Sequence, residues 1–118
     1  MNQPEYEWID ITREMNFITF VLQQGKPAMI SISGKNLCVV KSGSEYFGVN
    51  DKCPHAGASL SQGWCVNQTV VCPHHQYKFD LRTGRTTNGE GYFVQPYPIR
   101  LEEEKFWIGF EKKRGWFS

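Results

Sequence analysis

The chain has 118 residues, 40% of them hydrophobic and 14% aromatic, which suits one domain with a single core and leaves little for a second. Thirteen Lys and Arg against 12 Asp and Glu give a formal charge of +1, which offers nothing to a polyanion, so no nucleic-acid partner is expected. The acidic residues Glu5, Glu7, Asp10 and Glu14 break up the first twenty positions, so neither a secretory leader nor a membrane span is expected and the cytoplasm is the expected location.

In chain order, short β-branched and aromatic runs at residues 6–11, 17–22, 29–33, 37–41 and 46–49 are bounded by Gly, Asn, Ser and Pro and read as strands. Ile30 and Ile32 alternate with Ser31 and Ser33, and Gly34-Lys35-Asn36 turns that strand into the next as a hairpin. Cys38, inside Leu37-Cys38-Val39-Val40, reads as a small buried hydrophobe. Residues 50–64 lack periodicity and are rich in Gly, Ser and Pro, as a loop is. Residues 69–72 enter a second loop at Pro73, and residues 77–81 leave it and turn at Arg82-Thr83-Gly84, so both loops are expected on β-hairpins. Strands follow at 92–95, 99–101 and 106–110, the last two joined by Glu102-Glu103-Glu104, and no sustained helical stripe is evident. The expected fold is all-β, an antiparallel sandwich or barrel over residues 1–118, with a loop-rich lobe inserted at about residues 51–85. The run Lys112-Lys113-Arg114 and Trp116 read as a solvated end and terminal packing.

Without a secreted context, four cysteines point to a metal site more than to a disulfide scaffold. All three histidines fall in one segment, Cys53-Pro54-His55, then sixteen residues, then Cys72-Pro73-His74-His75. Thiolate and imidazole together bind transition metals or clusters. A common zinc finger takes two cysteines from one hairpin and two histidines from a helix, whereas each loop here brings one of each. Two such loops facing each other suit two metal atoms, thiolates on one and imidazoles on the other, with sulfide between. A structural zinc site in the same residues is the competing reading, and spacing alone leaves His74 and His75 both open as the fourth ligand. Cys65, beside Trp64, is read as packing, with a reserve ligand or a redox-active thiol as the alternatives, and Gly57 and Gly84 are read as sites of positive φ.

The segment Cys53 to Leu60 resembles the first cluster box of the Rieske family, C-x-H-x-G-x-x-L, and Cys72-Pro73-His74-His75 is similar to the second. Phe79-Asp80, Thr83-Gly84 and Tyr97-Pro98-Ile99 extend the likeness over about residues 35–111. The resemblance implies one 2Fe-2S cluster held by Cys53, His55, Cys72 and His75, with His74 a neighbour. It also implies antiparallel sheets and a potential between about −150 and +300 mV.

In respiratory and photosynthetic relatives a disulfide ties the loops at the positions of Ala58 and His74, and hydroxyl donors to the cluster stand where Tyr77 and Phe79 are. Neither position is cysteine here, Phe79 has no hydroxyl to donate, and Tyr77 aligns with a bulky aromatic of low-potential relatives, so the resemblance implies one of the soluble, low-potential ferredoxins that feed aromatic-ring dioxygenases. The implied function is one-electron transfer from a flavin-dependent reductase to a terminal oxygenase or similar enzyme, without catalysis by the chain itself. The alternatives are an accessory subunit similar to the small subunit of nitrite reductases and a non-redox zinc module.

Overall fold

A computed structural model describes residues 5–54, 57–88 and 91–112. His55, Lys113, Arg114 and Trp116 lie outside the described residues.

The first strand, β1 (Tyr6–Asp10), leads into a helix, α1 (Thr12–Gln23), so the strand expected at 17–22 is corrected. Ile11, Met15, Ile18 and Leu22 recur at helical spacing and turn inward, and Ile11, Met15 and Leu22 are buried. Phe17 and Phe20, 79% and 72% exposed, sit on the outer side. Apolar residues on both sides of the helix blurred its period into what read as a continuous strand-like run. Asp10 Oδ1 accepts the Thr12 N–H at 2.9 Å, and the Thr12 side chain, followed by this backbone bond, holds the Asp10 carboxyl below its usual value. The helix ends at Gly25, whose φ of 77° and N–H bond to Leu22 O (3.0 Å) turn the chain toward the next strand. Burying Met15 and Leu22 stabilises the fold by roughly 1.5–3 kcal/mol each.

Strands β2 (Ala28–Ile32), β3 (Lys35–Ser42) and β4 (Glu45–Asn50) form an antiparallel meander. The first hairpin turns at Ser33-Gly34, both with positive φ, one position earlier than the expected Gly34-Lys35-Asn36. A 3-10 turn at Leu60–Gln62 then leads to three short strands, β5 (Trp64–Val66), β6 (Thr69–Val71) and β7 (Lys78–Asp80). The long strands β8 (Pro96–Glu102) and β9 (Lys105–Glu111) complete the chain, turning at Glu103-Glu104. The strand expected at 92–95 is absent; Phe93 makes only an isolated bridge with Arg85. β5 was not anticipated, because three residues are too few to show alternation.

The six long strands form one sheet, ordered β1-β9-β8-β4-β3-β2, and β5-β6-β7 form a second, small one. Every pairing is antiparallel. Two apolar cores result. One joins α1 to the large sheet through Ile11, Met15, Leu22, Ile30, Leu37 and Val39. The other joins the small sheet to β3 and β4 through Cys38, Val49, Leu60, Val70 and Phe79, and it contains Cys53 and Cys72. β3 feeds both: Leu37 and Val39 serve the first core, Cys38 and Val40 the second, as a period of two requires.

Candidate metal centre

The two cysteine-histidine boxes become two short loops closed in the same way. In the first, the Cys53 N–H donates to Ala58 O (2.8 Å), and the Gly57 N–H donates to Cys53 O (2.8 Å). In the second, the Cys72 N–H donates to Tyr77 O (2.9 Å). Each loop is thus pinned by a bond from its cysteine to the carbonyl five residues on. The second loop joins β6 to β7, the hairpin expected of it. The first loop is flanked not by strands but by a single bridge between Lys52 and Ser59.

Asp51 carries the first loop. It is the one buried charged residue among those described, and Ser59 Oγ (2.5 Å) and the Ser61 N–H (2.8 Å) donate to its carboxylate. Its own N–H donates to Asn36 O (3.0 Å), and its carbonyl accepts the Leu60 N–H (2.6 Å). A carboxylate removed from water needs such donors, and here they fasten both ends of the loop to β3 and to each other. Gly57 has the expected positive φ, 72°. Gly84, at 77°, lies so close to the backbone that a Cβ would stand 1.9 Å from Val94 O.

The structure brings Cys53 and Cys72 together. Both are fully buried in the same apolar core, close enough for one sulfur to bear on the ionisation of the other. Burial, the largest cause, pushes the Cys72 thiol up to about 11; the Cys53 contact adds to the rise, and a hydrogen bond from the His74 backbone N–H opposes it. Two thiols in a dry pocket resist ionising side by side unless a cation joins them, and a backbone N–H aimed at one sulfur is a donor suited to a metal-bound thiolate. This donor set fits an iron held by two cysteines. His74 and His75 lie on the exposed second loop. His75 does not join the thiol pair: among the described residues no three His, Cys, Asp or Glu side chains converge as ligands of one ion.

His75 and the next residue, Gln76, both have left-handed backbone, with φ of 60° and 57°. For residues other than glycine each such conformation costs about 1–3 kcal/mol unless its surroundings hold it. Tyr77 packs on Tyr92, ring centroids 5.2 Å apart, and Phe79 is fully buried behind the loop. Cys38 is fully buried in β3, as expected. Cys65 is half-buried against the same core, and burial pushes its thiol up to about 11, so at neutral pH it is a protonated packing group. Sequence reasoning missed Asp51 and Asn88, whose side chains brace the two loops. The serines flanking Leu60 were a faint signal for Asp51, while nothing in sequence connected Asn88 with residues ten or more positions away.

Residues 18–98 match the Rieske [2Fe-2S] domain. The chain is 26% identical over 108 residues to the "Naphthalene 1,2-dioxygenase system, ferredoxin component" of Pseudomonas aeruginosa, covering 86% of this chain and 94% of that protein. It is 35% identical over 79 residues to the "Anthranilate 1,2-dioxygenase ferredoxin subunit" of Burkholderia cepacia, covering 66% and 73%. Among solved structures, the ferredoxin of carbazole 1,9a-dioxygenase from Nocardioides aromaticivorans IC177 superposes with a TM-score of 0.67 at 27% identity, covering 74% of this chain and 89% of that one. The curled antiparallel sheet with a small second sheet is the architecture these relatives share. The chain belongs to the Rieske [2Fe-2S] family, and its cofactor is one Rieske 2Fe-2S cluster.

Proposed function

We propose that Cys53, His55, Cys72 and His75 are the cluster ligands, the two cysteines on one iron and the two histidines on the other. The observation that carries this reading is two fully buried cysteines packed into one apolar core, each at the head of a loop closed by the same backbone bond. When bound, the cluster supplies a one-electron couple. Cys53 and Cys72 hold their end in an apolar pocket away from water, and the His74 N–H stabilises charge on the Cys72 sulfur. His75, on the exposed loop, would hold the cluster from the side that faces a partner.

The chain is an electron-transfer component and not itself a catalyst, and it delivers electrons to a terminal oxygenase. We assign its reloading to a flavin-dependent reductase and its place of action to the cytoplasm, with residues 1–118 as a single domain. Among the described residues no helix is long and apolar enough to cross a membrane. Both partners dock weakly over the exposed tip formed by Pro54, Gly57, His74, His75 and Gln76, since a carrier that meets two enzymes in turn needs a small interface. Relatives named as ferredoxin components favour this carrier over the nitrite-reductase accessory.

Metal and sulfide analysis with EPR tests the assignment. The expected result is iron and acid-labile sulfide in equal amounts, with a rhombic or axial signal after dithionite. His75→Ala abolishes that signal and His74→Ala preserves it. Zinc, iron without sulfide, or dependence on His74 in place of His75 overturns the ligand assignment.

A further inference from the structure

Outside both cluster boxes, one side chain grips the backbone of the second loop. Asn88 Oδ1 accepts the Lys78 N–H at 2.8 Å, and Asn88 Nδ2 donates to Gln76 O at 3.1 Å. One carboxamide therefore spans the stretch around Tyr77 as a neighbouring strand would, satisfying a donor and an acceptor two residues apart. The same segment adds a bond from the Thr87 N–H to Lys78 O (2.9 Å), and Tyr92 lays its ring on Tyr77.

The gripped stretch begins where the backbone is least willing to stay. His75 and Gln76 are consecutive left-handed residues, and neither is glycine. Release of the Gln76 carbonyl would let that peptide rotate toward an ordinary conformation and swing the side chain before it. From inside, the Cys72–Tyr77 bond closes the loop. From outside, the restraint on Gln76 comes from Asn88.

Resting on the ligand set proposed above, we infer that Asn88 is a positioning residue for the cluster. Its carboxamide holds the Gln76–Lys78 backbone, and through it fixes the direction in which the His75 imidazole points toward its iron. The orientation of that ring governs its overlap with the metal, so the grip on a distant backbone is read out in the electronic structure of the reduced cluster.

The test uses the full, cluster-loaded chain with Asn88→Ala, Asn88→Asp and, as control, Thr87→Ala, which keeps the backbone bond to Lys78. Asn88→Asp retains an acceptor for Lys78 but sets an oxygen against the Gln76 carbonyl. Four quantities are read: the histidine nitrogen couplings in pulsed EPR of the reduced protein, the midpoint potential, the rate of cluster release into EDTA, and the melting temperature of the metal-free chain. Asn88 is exposed, so losing one to two hydrogen bonds there should lower metal-free melting by no more than a few degrees. Both Asn88 variants should show changed nitrogen couplings, a shifted potential and cluster release about tenfold faster, as expected for losing one to two hydrogen bonds. Thr87→Ala should match wild type in all four.

Wild-type couplings and potential in both Asn88 variants overturn the inference, whatever their stability, because a purely structural role alters melting and leaves the folded cluster unchanged. If Asn88→Ala does not fold, Asn88→Asp, which keeps the Lys78 bond, carries the same criteria. A wild-type chain that takes up no 2Fe-2S cluster would sink the ligand assignment instead, so the two failures are told apart.

Discussion

Replacing Asp51 with alanine should loosen the first cluster loop and weaken the whole lobe. The carboxylate is 5% exposed and receives two hydrogen bonds, from Ser59 Oγ and the Ser61 N–H. Bonds to a charged group contribute about 1.5–3 kcal/mol each, which sets an upper bound of roughly 3–6 kcal/mol. Both donors are half-buried, so water recovers part of the loss, and Ser59 keeps its 2.8 Å contact with Ser61 Oγ. The expected cost is therefore about 2–3 kcal/mol. Asn at this position keeps an acceptor for Ser61 but loses the charge, and should cost about 1 kcal/mol. Urea unfolding of the metal-free chain, followed by tryptophan fluorescence and far-UV circular dichroism, measures the difference. Decay of the visible absorbance in EDTA measures cluster retention. An Asp51→Ala variant within about 0.5 kcal/mol of wild type would refute the account of the loop as fastened by a buried carboxylate.

Gly84→Ala forces a Cβ to within 1.9 Å of Val94 O at a φ of 77°, and should cost about 2–4 kcal/mol in the same unfolding experiment; a neutral variant would mean that the turn does not approach Val94 as described. Burial raises the Cys65 thiol above its ordinary value of 9.0 to about 11, so its contribution is fully present below pH 9 and is lost as pH rises through 11. The stability advantage of the metal-free wild type over Cys65→Ala should therefore shrink across that window, and a difference constant with pH refutes the burial assignment. Phe79 stands where high-potential relatives carry a hydroxyl donor and has none to offer, so voltammetry should give a midpoint in the lower part of the range of about −150 to +300 mV; a value well above +100 mV contradicts this. The midpoint should also fall at alkaline pH, because the oxidised cluster's extra positive charge favours loss of a proton from a ligating imidazole, and a flat profile counts against histidine ligation.

The candidate site could be proposed from sequence because the chemistry it invokes is local. The boxes around Cys53 and Cys72 carry the ligand types at a spacing set by two six-residue loops, and no distant contact is needed to recognise them. Most strands were legible for a similar reason, since alternation such as Ile30-Ser31-Ile32 reports which face is buried. The helix was not. Its inward stripe of Ile11, Met15, Ile18 and Leu22 was present, but Phe17 and Phe20 filled the outer side, and in a local window the result looks like a strand.

From the sequence alone came the proposed ligand types, their division between two loops and the predominance of β structure, all consequences of residue chemistry and short-range period. Only tertiary structure decided that Cys53 and Cys72 meet, that Asp51 is buried with its donors, and that Asn88 lies against Gln76 and Lys78. Those contacts join residues separated by eight to nineteen positions, and the energy that selects them comes from packing the small sheet against β3 and β4, a global property that no local pattern encodes.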